Sequence, residues 1–350
     1  MKNKSRSWLA LAAVVIPVLI SVPLVFGFFG AVHPAFDSFA QFRLHLAVLM
    51  AVCALPALFL GLWREGLMAI AFAATALGSV FIHTGAAGAA AKAEENAGQN
   101  GGQNSGQNSG QNSGLAEYKL LQLNLRYDNS RHADVFRLIA RVSPDVITLE
   151  EVSAEWRPKL AAIEGRYPYH FYCPNRSRIG GAAVLSRRPF ALGSTPLCVD
   201  SLVALARVDF GGYSATIGAL HLDWPWPFAQ DWNVAEVRPY LEKLQGPLII
   251  AGDFNAAPWT ETLKNIMLAS RTRHVNGLRP SWLVNGALAR FAPWVGLPLD
   301  HVLVSDRIVE PKVETLEAVG SDHLPLLLRF SIAPSDADPG PDQQTVMLQR

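Results

Sequence analysis

Polar side chains stand at the ends of apolar runs in this chain. LLQLN closes on Asn124, VITLEE on Glu150 and Glu151, IGALHLD on His221 and Asp223, and LIIAGDFN on Asp253 and Asn255. A further apolar run is entered through Ser321, Asp322 and His323. Carboxylates, an amide and histidines with no cysteine or histidine cage suit a hard, oxygen-liganded cation such as Mg²⁺. A histidine held by a carboxylate adds a group that donates or shuttles a proton near neutral pH. A lone aspartate after a strand is more often a turn or helix cap, so the chemistry rests on the whole set.

For these side chains to meet, the runs that carry them must be neighbouring strands. Tyr118–Asn124 (YKLLQLN) reads as a strand, and Val135, Leu138, Ile139 and Val142 follow at i, i+3, i+4, i+7, a helical spacing. Residues 128–130 offer its cap. Val146–Leu149 is the next strand, followed by a helix starting near Ser153. Strands are predicted at 181–186, 202–209, 214–222, 248–254, 299–305 and 324–332, with a helix within 230–244. A domain of this size has ample core. Strand ends lie together in a sheet, so the polar termini are expected to converge on one pocket.

Asn124, the LEEV of Leu149–Val152, the GDFN of Gly252–Asn255, the LDHVLVS of Leu299–Ser305 and the SDHLP of Ser321–Pro325 occur in this order. Together they resemble the endonuclease/exonuclease/phosphatase superfamily, the metal-dependent phosphoesterase fold of DNase I, exonuclease III and neutral sphingomyelinases. The resemblance covers about residues 117–332. It implies an α/β (α+β) fold, a four-layer αββα sandwich. It also implies roles: Glu151 binds the metal, with Asn124 and Asp322 helping to hold the cation or its waters. Asp253 and Asn255 match the pair that orients the attacking water and the phosphate. His323 matches the histidine beside the scissile phosphate, Asp300 the carboxylate that fixes its tautomer, and His221 the second histidine of the DNase I and sphingomyelinase branches. The implied cofactor is Mg²⁺, with Mn²⁺ as a substitute. A phosphodiester is anionic and resists attack, so a cation must offset developing charge while water is prepared.

Two positions depart from the family pattern. Glu150 stands where Gln is usual, either sharing the metal or lying solvated at the rim, and Leu220 replaces a Thr before His221. His301 is expected to point to the face opposite Asp300 and to be structural, while His132 and His170 carry no motif. Trp224-Pro-Trp-Pro-Phe228 is a loop, because two prolines keep it out of a ladder. It either folds back on the core or forms a substrate platform or membrane-dipping lip. Arg271, Arg273, His274 and Arg279 either meet phosphate or form a solvated basic loop.

Only 17% of the 350 residues are charged, against about a quarter in ordinary soluble domains. The deficit is local. Residues 7–91 hold four charges, Asp37, Arg43, Arg64 and Glu65, whereas residues 115–350 hold 24 basic and 25 acidic side chains. That near-neutral balance supplies no general field for polyanions. Spans are predicted at 8–30, 44–63 and 66–82, the first long enough to cross a hydrocarbon core of about 30 Å. Residues 1–83 therefore read as a membrane region. Lys2, Lys4 and Arg6 favour a cytoplasmic N-terminus. Three spans then leave the rest periplasmic, on a multi-pass protein of the cell inner membrane. Residues 84–114 include the repeat GQNS and read as a flexible tether, and 333–350 as a disordered tail. Cys173 and Cys198 could form one disulfide in an oxidising compartment, leaving Cys53 in the second span.

The sum is a membrane-anchored, metal-dependent phosphoesterase with a phosphodiester substrate, nucleic acid or lipid headgroup, and no evident obligate protein partner. The competing expectation is a catalytically silent member of the fold serving as an extracytoplasmic binding module.

Overall fold

The structure, a computed structural model, describes residues 2–99, 115–175, 177–275, 277, 279–283 and 291–334. It forms two compact units. One comprises the described residues up to Ala86 with Trp224–Asp231 and Ala256–Lys264, and the other the remaining described residues.

The larger unit is built on two six-stranded sheets. In chain order, β1 is Tyr118–Asn124, α5 His132–Val142, β2 Val146–Val152, α6 Trp156–Glu164, β3 Tyr169–Cys173 and β4 Gly181–Ser186. There follow β5 Leu197–Val199, β6 Val203–Asp209, β7 Ser214–His221, α7 Gln230–Leu241, β8 Leu248–Asp253 and α8 Glu261–Ser270, the starts of α7 and α8 belonging to the smaller unit. The set closes with β9 Arg273–His274, α9 Ala292–Val295, β10 Asp300–Val304, β11 Ile308–Thr315 and β12 Leu326–Ile332. One sheet has the order β11-β12-β1-β2-β4-β3, the other β5-β6-β7-β8-β10-β9. Alternate residues of both, among them Leu120, Val146 and Val184 from the first and Ala219, Ile249 and Val302 from the second, make one core between them. The opposite face of the first sheet, with Leu121, Leu123, Ile147 and Leu149, packs under Val135, Leu138 and Ile139 of α5 and Trp156 and Leu160 of α6. The helical period and the strand period thus meet along one apolar seam. Cys173 and Cys198 are joined as a disulfide.

Each sheet centres on one parallel pair, β1 with β2 and β7 with β8, joined through α5 and α7; every other pairing is antiparallel. A parallel pair needs such a crossover, and it leaves both strands ending on the same edge. The register completes the arrangement: Asn124 lies beside Glu150, His221 beside Asp253, and Asp253 beside Asp300.

The sequence expectation lacked β3, β5, β9 and β11. The last is an exposed edge strand with Pro311 inside it and a bulge between Val309 and Lys312, features that mask its alternation.

The smaller unit contains α1 Lys2–Phe26, α2 Pro34–Ala40, α3 Arg43–Phe59 and the first part of α4 Trp63–Gln99. Two of its helical stretches, Ser7–Phe26 and Trp63–Phe81, are long and apolar enough to cross a membrane. A third arises only if α2 and α3, bent by 61°, count as one span. The predicted 8–30 run ends four residues early, and the 44–63 run is a 17-residue helix closed by a turn at Gly61. The expected tether at 84–114 is corrected in part. Helix continues through Gln99, because six of the eight residues at 86–93 are alanine, the best helix former. The GQNS repeat at 100–114 and nearly all of the 333–350 tail lie outside the described residues.

Candidate active site

The strand ends place their polar side chains on one carboxylate. Asp253, at the end of β8, is buried, and its Oδ2 accepts a hydrogen bond from Asn124 Nδ2 at 3.0 Å. The same oxygen lies 3.5 Å from His323 Nε2 and 3.7 Å from His221 Nε2. Asn124 Nδ2 also donates to Glu151 Oε1 at 3.1 Å, and Tyr127 N–H donates to Glu151 Oε2 at 2.8 Å. Asn255 N–H donates to Asp253 Oδ1 at 2.9 Å, and its own Nδ2 to the Leu222 carbonyl at 2.8 Å.

Local backbone makes this possible. A Cβ on Gly252 would sit 1.9 Å from the Leu220 carbonyl oxygen, so only glycine lets β7 and β8 close up just before Asp253. Along a regular strand, Glu150 and Glu151 would face opposite ways. The β2–β4 register slips between Leu149 and Val152, and Glu151 takes a φ of 57°, which turns its carboxylate to Asn124. Asn255 is likewise left-handed, at φ 45°. Strain at two site residues, on the order of 1–3 kcal/mol each, is held by the surrounding structure.

Behind Asp253 lies a buried relay. His323 Nδ1 donates to Asp300 Oδ2 at 2.7 Å, and Asp300 Oδ1 accepts from Gln122 Nε2 at 2.9 Å. Gln122 Nε2 also donates to Glu150 Oε2 at 2.9 Å. Ser281 Oγ accepts the N–H groups of Leu299 and Asp300, at 3.0 and 2.8 Å, fixing the start of β10. Burial alone would strip His323 of its proton, but the charges of Asp300 and Asp253 outweigh it and push the imidazolium up to about 10. Burial raises Asp253 to about 6, against the pull of His323. Asp300 also feels burial upward, yet the charge and hydrogen bond of His323 bring it below its ordinary value. Burial, followed by the negative charges of Asp300 and Asp253, raises Glu150 well above the usual range, with Gln122 opposing.

Seven of the eight expected site residues, Asn124, Glu151, His221, Asp253, Asn255, Asp300 and His323, are linked through these contacts. Asp322 contributes charge close to His323 and Arg126, and its carbonyl accepts Leu283 N–H at 2.7 Å. Glu150 is not a solvated rim residue; it is fully buried on the face between the sheets. His301 is structural, buried with Nδ1 3.0 Å from His274 Nε2 and its ring edge-on to Phe254. The basic cluster is dispersed. Arg271 caps the carbonyls of Glu242 and Leu244, Arg273 donates to the Ile308 carbonyl, His274 is buried, and Arg279 is exposed. Sequence reasoning missed Gln122 and Ser281. Gln122 carried a signal, a polar residue two positions before Asn124 and hence on the same face of an apolar strand.

The fold and the site define a DNase I-like α+β domain. Residues 121–323 match the Endonuclease/Exonuclease/phosphatase family, and the chain belongs to it. No curated protein sequence matches the chain. Among solved structures, D. rerio TDP2 complexed with single strand DNA product is 17% identical, with a TM-score of 0.51 over 62% of this chain and 99% of that one. A humanized D. rerio TDP2 is 18% identical, with a TM-score of 0.50 over 61% and 99%. Sphingomyelinase C from Streptomyces griseocarneus is 16% identical, with a TM-score of 0.44 over 61% and 99%.

Proposed function

We propose that this chain is a membrane-anchored phosphodiesterase that uses a divalent cation, Mg²⁺ or Mn²⁺, to hydrolyse its substrate with water. The convergence of Asn124, His221 and His323 on Asp253 Oδ2 carries this reading. A carboxylate near 6 accepts a proton from water, and an imidazolium held charged by Asp300 donates to a phosphoryl or leaving-group oxygen.

The donor set fits a hard cation. Asp253, Asp300 and His323 offer ligand atoms within 4.8 Å of one another. The first two already flank a charged imidazolium, however, which repels a cation. The oxygens of Glu151, Asn124 and Asp322 are the better holders, because Glu151 is turned toward the site and accepts from two uncharged donors, Asn124 Nδ2 and Tyr127 N–H. When bound, the cation offsets charge on the phosphoryl oxygens.

A lipid phosphodiester is favoured over nucleic acid. Trp226 and Phe228 are 51% and 64% exposed, in the same compact unit as the apolar helices, and the 115–350 part has no basic excess. Two helices able to span a membrane support anchoring, and the Cys173–Cys198 bond supports an extracytoplasmic domain. The full chain in detergent or nanodiscs should hydrolyse bis-p-nitrophenyl phosphate and phospholipid vesicles with Mg²⁺, and lose both activities in EDTA. Plasmid nicking without lipid turnover would reverse the substrate preference. No metal-dependent turnover on any substrate, with Asp253→Ala and His323→Ala indistinguishable from wild type, would leave a binding module.

A further inference from the structure

Asp37 is one of only four charges in residues 7–91, and it is buried. An uncompensated buried carboxylate is costly, so its partners matter. Asp37 Oδ1 accepts Glu261 N–H at 2.8 Å, and Oδ2 accepts Thr262 N–H at 3.0 Å and Thr262 Oγ1 at 3.0 Å. These are the first amides of α8, so Asp37 of α2 serves as its N-terminal cap from more than 220 positions away. Nearby, buried Gln41 Oε1 accepts Ala257 N–H at 2.6 Å, and Trp259 Nε1 donates to the Ala40 carbonyl at 2.6 Å. Ser38 Oγ donates to the Trp226 carbonyl at 2.9 Å. The space is made by Gly30, where a Cβ would fall 2.6 Å from Asp37 Oδ1.

All these contacts lie within the smaller unit, but the residues they hold are not an independent surface. Ala256 follows Asn255 directly in the chain, and Trp224 follows His221 by three positions. Five hydrogen bonds from residues 37–41 thus grip the segment that continues from the Asp253-Phe254-Asn255 turn. That turn contains Asn255 in the left-handed region, which asparagine enters more readily than most residues.

We propose that Asp37 and Gln41 are positioning residues for the catalytic site, fixing residues 256–264 and so the turn that presents Asp253 and Asn255. The inference rests on the phosphodiesterase reading for its kinetic consequence and on geometry alone for the grip itself. A small misplacement of reacting groups costs rate before it costs binding.

Two measurements on the full chain in detergent test it. By amide hydrogen exchange, Asp37→Ala should speed exchange at Glu261 and Thr262 at least tenfold, and Gln41→Ala at Ala257, while Asp37→Asn, which keeps one acceptor of the two, falls between wild type and Asp37→Ala. With bis-p-nitrophenyl phosphate and Mg²⁺, Asp37→Ala should lower kcat about tenfold and leave KM within twofold, with Asp37→Asn restoring part of the loss. If Asp37→Ala does not fold, the milder Gln41→Ala carries the same kinetic split. Unchanged exchange in either alanine variant overturns the grip. Faster exchange with unchanged kcat, or an Asp37→Asn as impaired as Asp37→Ala, overturns the positioning role. A wild type inactive on every phosphodiester overturns the phosphodiesterase reading, with the exchange arm still deciding the grip.

Discussion

Replacing Glu150 by glutamine should stabilise the protein at neutral pH. Glu150 is fully buried between the sheets, its Oε2 accepts from Gln122, and its Oε1 has no hydrogen-bond partner. Burial and the charges of Asp300 and Asp253 hold the carboxyl in its neutral form well above the ordinary 4.5, where the unfolded chain has ionised. The sign follows from linkage. A group whose folded-state pKa is raised gives its full stability below the unfolded value, and that stability is lost as pH rises from 4.5 toward the folded one. Each pH unit in that window corresponds to about 1.36 kcal/mol, so the cost of keeping the carboxyl protonated grows as pH rises above 4.5. Glutamine has nearly the same shape, retains an oxygen for Gln122, and carries no such cost. Glu150→Gln should therefore match wild type near pH 4.5 and exceed it by a margin that grows as pH rises toward the folded-state value. In a domain of this size each kcal/mol of that margin is roughly 2–4 °C in Tm. Thermal unfolding of the full chain in detergent and EDTA at pH 4.5, 5.5, 6.5 and 7.5 measures the difference curve. A difference independent of pH would refute the reasoning, as would a variant less stable than wild type at pH 7.5. The same variant should leave the Mg²⁺ requirement within twofold; a raised requirement would make Glu150 a metal ligand.

Three further outcomes are expected. Asp300→Asn removes the charge that keeps His323 protonated to about 10, so kcat should fall about 10²–10⁴-fold and the alkaline limb of the kcat/KM profile should move to lower pH. An unmoved limb would take the proton-donor role from His323. Glu151→Gln should raise the Mg²⁺ concentration for half-maximal activity at least about tenfold, read by metal titration of turnover; an unchanged midpoint would shift the site to the Asp253 side. Cys173→Ser with Cys198→Ser should lower stability by about 3 kcal/mol, and Ellman titration of denatured, unreduced wild type should find one thiol per chain, Cys53, rather than three.

What was legible in the sequence and what was not divide along physical lines. Asn124, His221 and Asp253 end largely apolar strands, where a polar residue is expected at an edge, and the two parallel pairs bring those edges into register. Nothing in that pattern reports the bulge at Glu151, because a register slip depends on the partner strand and alternation describes one strand only. Gln122 and Glu150 were obscured for the related reason that strand-interior polar residues are paired across space, 28 positions apart in one case and 178 in the other. Asp37 shows the same limit across the whole chain. From composition it is an isolated charge in an apolar third; in three dimensions it caps a helix that begins eight residues after Asp253. The tether carried a compositional boundary in the wrong place, since glycine and alanine both look small and flexible by content while alanine propagates helix. Buried charge is therefore the more informative signal in this chain: each acidic side chain that sits in an apolar context, Asp37, Glu150, Asp253 and Asp300, has a specific donor from a distant segment, and three of the four converge on His323 through direct contact or charge.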